Sequence, residues 1–302
     1  MGSRLKNARG GGINHLHRLL GMRNDDVIST DAVFVSLDLE VDEWRKKLCT
    51  LNREPKVGQI GFATLDTRDI RRSSPYVDIR SLISVRFYEV IGSNQRNSQC
   101  DLTPIRIRQK DVVSTITKHL RVRDESEAAR SRPVLRNIVM VGHSPGYDLS
   151  FIRKLGIDIA SIAPVMTILD THSMSRCLFY PYCRLLPVAH GDDFSLAGLL
   201  ARFEYRPARD RFHNAANDAE YTLHALLLMA IKSGKERRQE MSPAELGRLW
   251  KLKKIIPWWK DSEEYPVRLS EGLRDVATRV LIRQADDDYD GSLLDCQPPP
   301  LF

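Results

Sequence analysis

The stretch that most constrains this chain is Val33-Phe34-Val35-Ser36-Leu37-Asp38-Leu39-Glu40. It runs apolar until it delivers two carboxylates two residues apart. Side chains alternate between the faces of a strand, so Asp38 and Glu40 project to the same side. Two anions on one face repel, and burying them without a counter-charge is costly. A divalent cation makes such a pair favourable. A lone Asp-x-Glu is more often a strand running out into a polar loop, since such short patterns recur by chance, and here Asp42 and Glu43 follow at once. The metal reading therefore depends on carboxylates elsewhere in the chain.

The remaining strands and helices say where to look. Val57 to Leu65 reads as a second strand and Ile83 to Ile91 as a third, closed by Gly92-Ser93-Asn94. Three early strands with short links predict an antiparallel meander. Val113, Ile116 and Leu120 recur at helical spacing, and Arg121 to Arg132 reads as a solvated loop. Asn137 to Val141 is continuously apolar, as expected of a strand covered on both faces. It ends in Gly142-His143-Ser144-Pro145, with Ser144 as the expected N-cap and Pro145 as the first helical residue of Gly146 to Leu155. Val165 to Leu169 reads as a fifth strand and Phe194 to Phe203 as an amphipathic helix. His213-Asn214-Ala215-Ala216-Asn217-Asp218-Ala219 opens a long apolar helix through Tyr221 to Ile231. Ser242 and Pro243 mark the start of another, over residues 242–254.

Function in an α/β sheet collects at strand ends and helix starts. Asp38, Glu40, Asp148 and Asp218 are then four carboxylates able to meet at one edge. Four suit two Mg²⁺ or Mn²⁺ ions ~3.5–4 Å apart, the arrangement used for in-line attack on phosphodiesters. His213 adds a base with an ordinary pKa near 6.5. It is five positions from Asp218, roughly 140° around a straight helix, which predicts that it sits on the turn before the helix. The arginines at 202, 206, 209 and 211, just upstream, are candidates for substrate phosphates or for a solvated loop.

The order Asp38-x-Glu40, Asp148, His213-x-x-x-x-Asp218 resembles the DEDDh group of 3′–5′ exonucleases in the ribonuclease H-like superfamily. Val141-Gly142-His143-Ser144-x-x-Tyr147-Asp148-Leu149-x-Phe151-Ile152 is similar to the second exonuclease motif of that group, and His213 to Ala219 to the third. The spelling of both is most similar to a fungal branch named after a suppressor of a DEAD-box mRNA-export helicase. The resemblance spans residues 30–232. It implies a mixed five-stranded sheet flanked by helices, its second strand antiparallel, which agrees with the strand reading above. It implies that Asp38, Glu40 and Asp218 hold the ion that activates water, that Asp38 bridges to a second ion supported by Asp148, and that His213 takes the proton. Leu39, Trp44, His143, Arg209, Arg211 and Asn214 are the expected substrate-binding residues. Where many members carry a Thr-Gly-Leu-like turn after the first motif, this chain has Val41-Asp42-Glu43-Trp44, so Trp44 is either a stacking platform for the terminal base or a core aromatic.

Composition narrows the classes. The chain has 302 residues, 46 Lys plus Arg against 39 Asp plus Glu, and a net charge of +7. That excess permits a polyanionic partner without demanding one. Five scattered cysteines with no Cys-x-x-Cys pair indicate neither a disulfide framework nor a zinc site. No apolar run reaches the ~18–20 residues of a membrane helix. The expected setting is intracellular, cytoplasmic or nuclear, with no membrane partner. Residues 1–30 read as a basic, partly disordered leader, 31–232 as the exonuclease-like domain and 233–302 as a helical or irregular extension, with a solvated acidic run at Asp286 to Asp290. The expected partners are single-stranded 3′ ends, RNA ahead of DNA, and an RNA-processing protein. A binding module of slight activity and an endonuclease are the rival readings.

Overall fold

The computed structural model describes residues 12–23, 31–41, 56–93, 99–126, 134–179 and 194–256. The predictions made for Trp44, for the acidic run at Asp286 to Asp290, and for most of the leader and extension lie outside these residues. The apolar run ending in Asp38 and Glu40 forms β1 (Val33–Val41), which sits at the middle of the sheet. β2 (Val57–Asp66) pairs with it antiparallel from Val33–Asp66 to Val41–Val57, and β3 (Ser84–Val90) pairs antiparallel with β2, completing the expected meander. β5 (Ile138–Gly142) lies parallel to β1 on its other side, and β6 (Val165–Asp170) lies parallel to β5.

Among the described residues the sheet has six strands, in the order β4-β3-β2-β1-β5-β6. The sixth, β4 (Ile105–Ile107), pairs parallel with β3 and corrects the five-stranded expectation. It escaped the sequence reading because it is three residues long and lies at the edge, where Ile105 and Arg106 are exposed and no alternation can develop. β5 shows why its sequence is continuously apolar. Val139 and Val141 enter one core while Ile138 and Met140 enter the other, on the opposite face.

Helices close both faces. α1 (Gly12–Leu19), α2 (Thr67–Arg72), α3 (Val112–Leu120), α4 (Gly146–Lys154), α5 (Ile159–Ile162), α6 (Thr171–Phe179), α7 (Leu196–Arg202), α8 (Ala215–Glu236) and α9 (Pro243–Ile255) follow in chain order. β1 sends Val33, Val35, Leu37, Leu39 and Val41 to the core shared with α3 and α4, and Phe34 to the core shared with α8. α8 is buried all round from Tyr221 to Ile231, as a helix apolar on every side must be. α1 docks on it through His17. Arg237 Nη1 donates to Nδ1 at 3.0 Å, so the ring is neutral and Nε2–H is left to donate to Ala230 O at 3.2 Å. Burial agrees, lowering the His17 pKa to about 4. α9 starts as expected, with Ser242 and Glu245 exchanging capping bonds and Pro243 in the first turn. Its Leu249, Leu252 and Ile255 join the α8 core.

At the end of β1 away from the carboxylates, Arg136 is 5% exposed and grips Asp66 and Asp31, while Arg68 grips Asp31 and Asp124. Asp124 belongs to the segment expected to be a solvated loop. Its contact with Arg68 is a tertiary one, invisible to local charge pattern.

One close approach fixes how α8 meets the sheet. Gly61 of β2 pairs with Asp38, and a Cβ on Gly61 would lie 1.8 Å from Ala215 O. A glycine inside a strand marks such backbone contact. Gly61→Ala forces the two backbones apart. The expected loss is roughly 1–3 kcal/mol or more, read as a lower midpoint in chemical denaturation. An unchanged midpoint contradicts this packing.

Candidate active site

The β1–β5 pairing ends at Ser36–Val141, but β1 runs on to Val41. Beyond that end the Leu39 N–H donates to Asp148 Oδ1 at 3.1 Å. The second carboxylate motif is thereby tied to the first through backbone. Asp148 lies in the first turn of α4, after a tight turn in which Ser144 takes φ 58°. The helix N-cap is Pro145, which makes no side-chain cap bond, so the expectation of Ser144 as cap is corrected. A left-handed Ser144 cannot serve as the extended cap residue. Its N–H instead donates to Asp170 Oδ1 at 2.9 Å.

The start of α8 is held by four interactions. Asn214 is the N-cap, its Oδ1 accepting from Ala216 N at 3.1 Å and Asn217 N at 3.3 Å. Gln59 of β2, the register partner of Glu40, accepts from Ala215 N at 3.3 Å. Gly61 makes room for the Ala215 carbonyl. Asp218, in the first turn, accepts the His213 N–H on Oδ2 at 2.9 Å. His213 lies outside the helix, one residue before the cap, with φ 61°. For a non-glycine residue that conformation costs of order 1–3 kcal/mol and persists only where the surroundings over-determine it.

Asp38 and Glu40 point to this helix start from the same face. Burial pushes the Asp38 carboxyl well above its ordinary range, and the charges of Asp148, Asp218 and Glu40 push further. Asp218 is raised to about 7, by burial first and by Glu40 second. The bond from His213 N–H opposes this, and the helix N-terminus favours the anion. Desolvation and repulsion win. Asp148 is raised to about 6, by burial first, against the bond from Leu39.

These acids fit a divalent cation. One ligand atom from each of Glu40, His213 and Asp218 lies within 4.8 Å of the other two. Asp218 Oδ1 is buried with no hydrogen-bond partner in the structure. A buried carboxylate oxygen with no donor, facing other carboxylates, is an arrangement a metal ion resolves.

The structure thus gathers Asp38, Glu40, Asp148, His213 and Asp218 into one site. Of the expected substrate-binding residues, Leu39 contributes its backbone N–H to Asp148, and Asn214 serves as the helix cap. Arg211 makes a two-point ion pair with Asp101, at 2.6 and 3.0 Å, while Arg209 is exposed. His143 has Nδ1 3.0 Å from Thr171 Oγ1 and donates from Nε2 to Phe194 O at 2.9 Å, so both ring nitrogens tie protein segments together. Gln59 and Gly61 were not singled out from sequence. The available signal was the Gly58-Gln59-Ile60-Gly61 interruption of an otherwise apolar strand.

The raised acids set a stability test. Each binds its proton more tightly folded than unfolded. Their penalty is absent below the ordinary carboxylate range near pH 4 and grows as pH rises through 6 to 7. Buried His17 and half-buried His119, lowered to about 4, and buried His224, lowered to about 3, slope the other way. They cancel when variants are compared at the same pH. In chelator, Asp218→Asn is expected to gain Tm over wild type, by at least ~2–4 °C at pH 8 and less at pH 5. Mg²⁺ or Mn²⁺ is expected to raise the wild-type Tm at pH 8 and to do so less in the variant. A gain independent of pH, with no metal shift, contradicts the electrostatic account.

No helix among the described residues is long and apolar enough to cross a membrane. No curated protein matches the chain. Residues 103–229 match the DEDDh family model described as DNA polymerase III subunit epsilon-like, C-terminal domain. The matched range contains Asp148, His213 and Asp218 and begins after the strand bearing Asp38 and Glu40. The sheet with flanking helices is consistent with a ribonuclease H-like fold, and the match supports the DEDDh exonuclease family and a nuclease activity.

Proposed function

We propose that the chain is a metal-dependent 3′–5′ exonuclease. It acts on single-stranded nucleic acid, RNA in preference to DNA, and releases nucleoside 5′-monophosphates. The observation that carries this is the convergence of Asp38, Glu40, Asp148 and Asp218 with His213 at the start of α8, in the order of the DEDDh motifs that the sequence resembles.

Two Mg²⁺ or Mn²⁺ ions held by the four carboxylates would stabilise charge on the attacking and leaving oxygens of an in-line displacement. The protein does the rest. His213, partly solvated on its turn and close to Glu40 and Asp218, takes the proton of the attacking water. The P–O3′ bond then breaks, leaving the phosphate on the released 5′-monophosphate. Arg206 and Arg209, exposed in the segment before His213, are suited to backbone phosphate. Kinship to the fungal branch rests on the motif spelling alone.

A second reading has specific support. Arg211 and His143, both expected at the substrate, are engaged within the protein, and this favours a binding module with slight turnover, assembled with an RNA-processing partner.

Incubation of 5′-labelled single-stranded RNA and DNA with Mg²⁺ or Mn²⁺ decides between them. The exonuclease is expected to shorten substrate stepwise from the 3′ end and to stall on a blocked 3′ end. His213→Ala should lower kcat ~10²–10⁴-fold, and Asp38→Ala should abolish shortening. Binding without turnover supports the second reading, and cutting of the blocked substrate indicates an endonuclease. Equal digestion by Asp38→Ala removes the site from the chemistry altogether.

A further inference from the structure

Asn217 stands beside Asp218 in the first turn of α8, 6% exposed, and has no part in the chemistry described above. Its Nδ2 donates to Gln99 O and to Arg211 O, both at 2.7 Å. Both partners are carbonyls, so the amide nitrogen must face them and both its hydrogens are used. The two segments it joins are also bonded to each other. Gln99 N donates to Asp210 O at 3.0 Å, and the Arg211 guanidinium holds the Asp101 carboxylate at two points. Residues 99–101 and 210–211 are therefore laced together, and Asn217 fastens the pair to a rigid helix.

His213 lies two residues beyond Arg211. Its turn is fixed on the far side by the Asn214 cap and by its own N–H on Asp218, and on the near side by Asn217 through the Arg211 carbonyl. A left-handed histidine needs restraint from both sides to stay in place. With both restraints its imidazole stands near the Glu40 and Asp218 carboxylates.

We propose that Asn217 is a positioning residue for His213, aiming the imidazole by clamping the turn that carries it. An isosteric aspartate cannot replace it: ionised it has no hydrogen to donate, and protonated it has one for two carbonyls. This inference rests on the proposed nuclease reading for its kinetic consequence, but not for its geometry.

A double-variant cycle in the shortening assay tests the kinetic part. Asn217→Ala is expected to lower kcat by roughly 10²-fold, the effect of misplacing a reacting group by about 1 Å. KM should stay within about twofold. In a His213→Ala background, Asn217→Ala should add less than about twofold, because there is no imidazole left to aim. A residue that merely stabilises the fold would lower activity in both backgrounds, so an additive loss, or no loss in the single variant, overturns the proposal. The Mn²⁺-induced Tm shift should persist, since all four carboxylates remain. A crystal structure of Asn217→Ala reads the placement without any activity. The expected result is a His213 imidazole displaced from Glu40 and Asp218, and an undisturbed turn overturns the proposal. An inactive wild type would instead sink the nuclease reading, with the crystal structure still deciding the role of Asn217.

Discussion

Mutual repulsion among half-buried carboxylates is the constraint on which the rest of this molecule turns. Asp38, Asp148 and Asp218 share a site with Glu40, and there desolvation and like charge both favour the protonated form of those three aspartates. Leu39 N–H and His213 N–H each supply one donor, and Asp218 Oδ1 has none. The fold works against its own electrostatics here, as proteins do where chemistry is performed. A divalent cation held by these residues would make the arrangement favourable.

The scaffold is built to hold that unfavourable site in place. β1 is central in the sheet and outruns β5, so its last residues are presented past the end of the parallel ladder. α8 is buried all round and cannot shift without disturbing both β1 and β2. Gly61 and Gln59 seat its first residues on the sheet, one by the absence of a side chain and the other by a hydrogen bond. At the opposite end of β1, Arg136 and Arg68 gather Asp31, Asp66 and Asp124, where opposite charges do neutralise. The two ends of one strand thus show both fates of buried charge, pairing for stability and crowding for function.

Much of this could be read from the chain before folding. Alternation placed β2 and β3, and apolar runs placed β1 and β5, because burial on one face or two leaves a local signature. Asp38, Glu40, Asp148, His213 and Asp218 were legible because their order and flanking residues carry a pattern. What escaped depends on distant partners. β4 is three residues at an edge and has no periodicity to read. Ser144 and Pro145 spell a standard cap, but the turn they occupy answers to Asp170 across the sheet. Asn217 looks like an ordinary helix-start residue until Gln99, well over a hundred positions earlier, is found against it. Arg211 reads as a phosphate contact until Asp101 is seen beside it.

The proposed chemistry requires acids from three separate parts of the chain to grip a common divalent ion beside His213. Anomalous diffraction from a crystal soaked in Mn²⁺ measures this most directly. Manganese peaks are expected within coordination distance of Asp38, Glu40 and Asp218. Peaks elsewhere on the surface, or none near these side chains at saturating Mn²⁺, would contradict it.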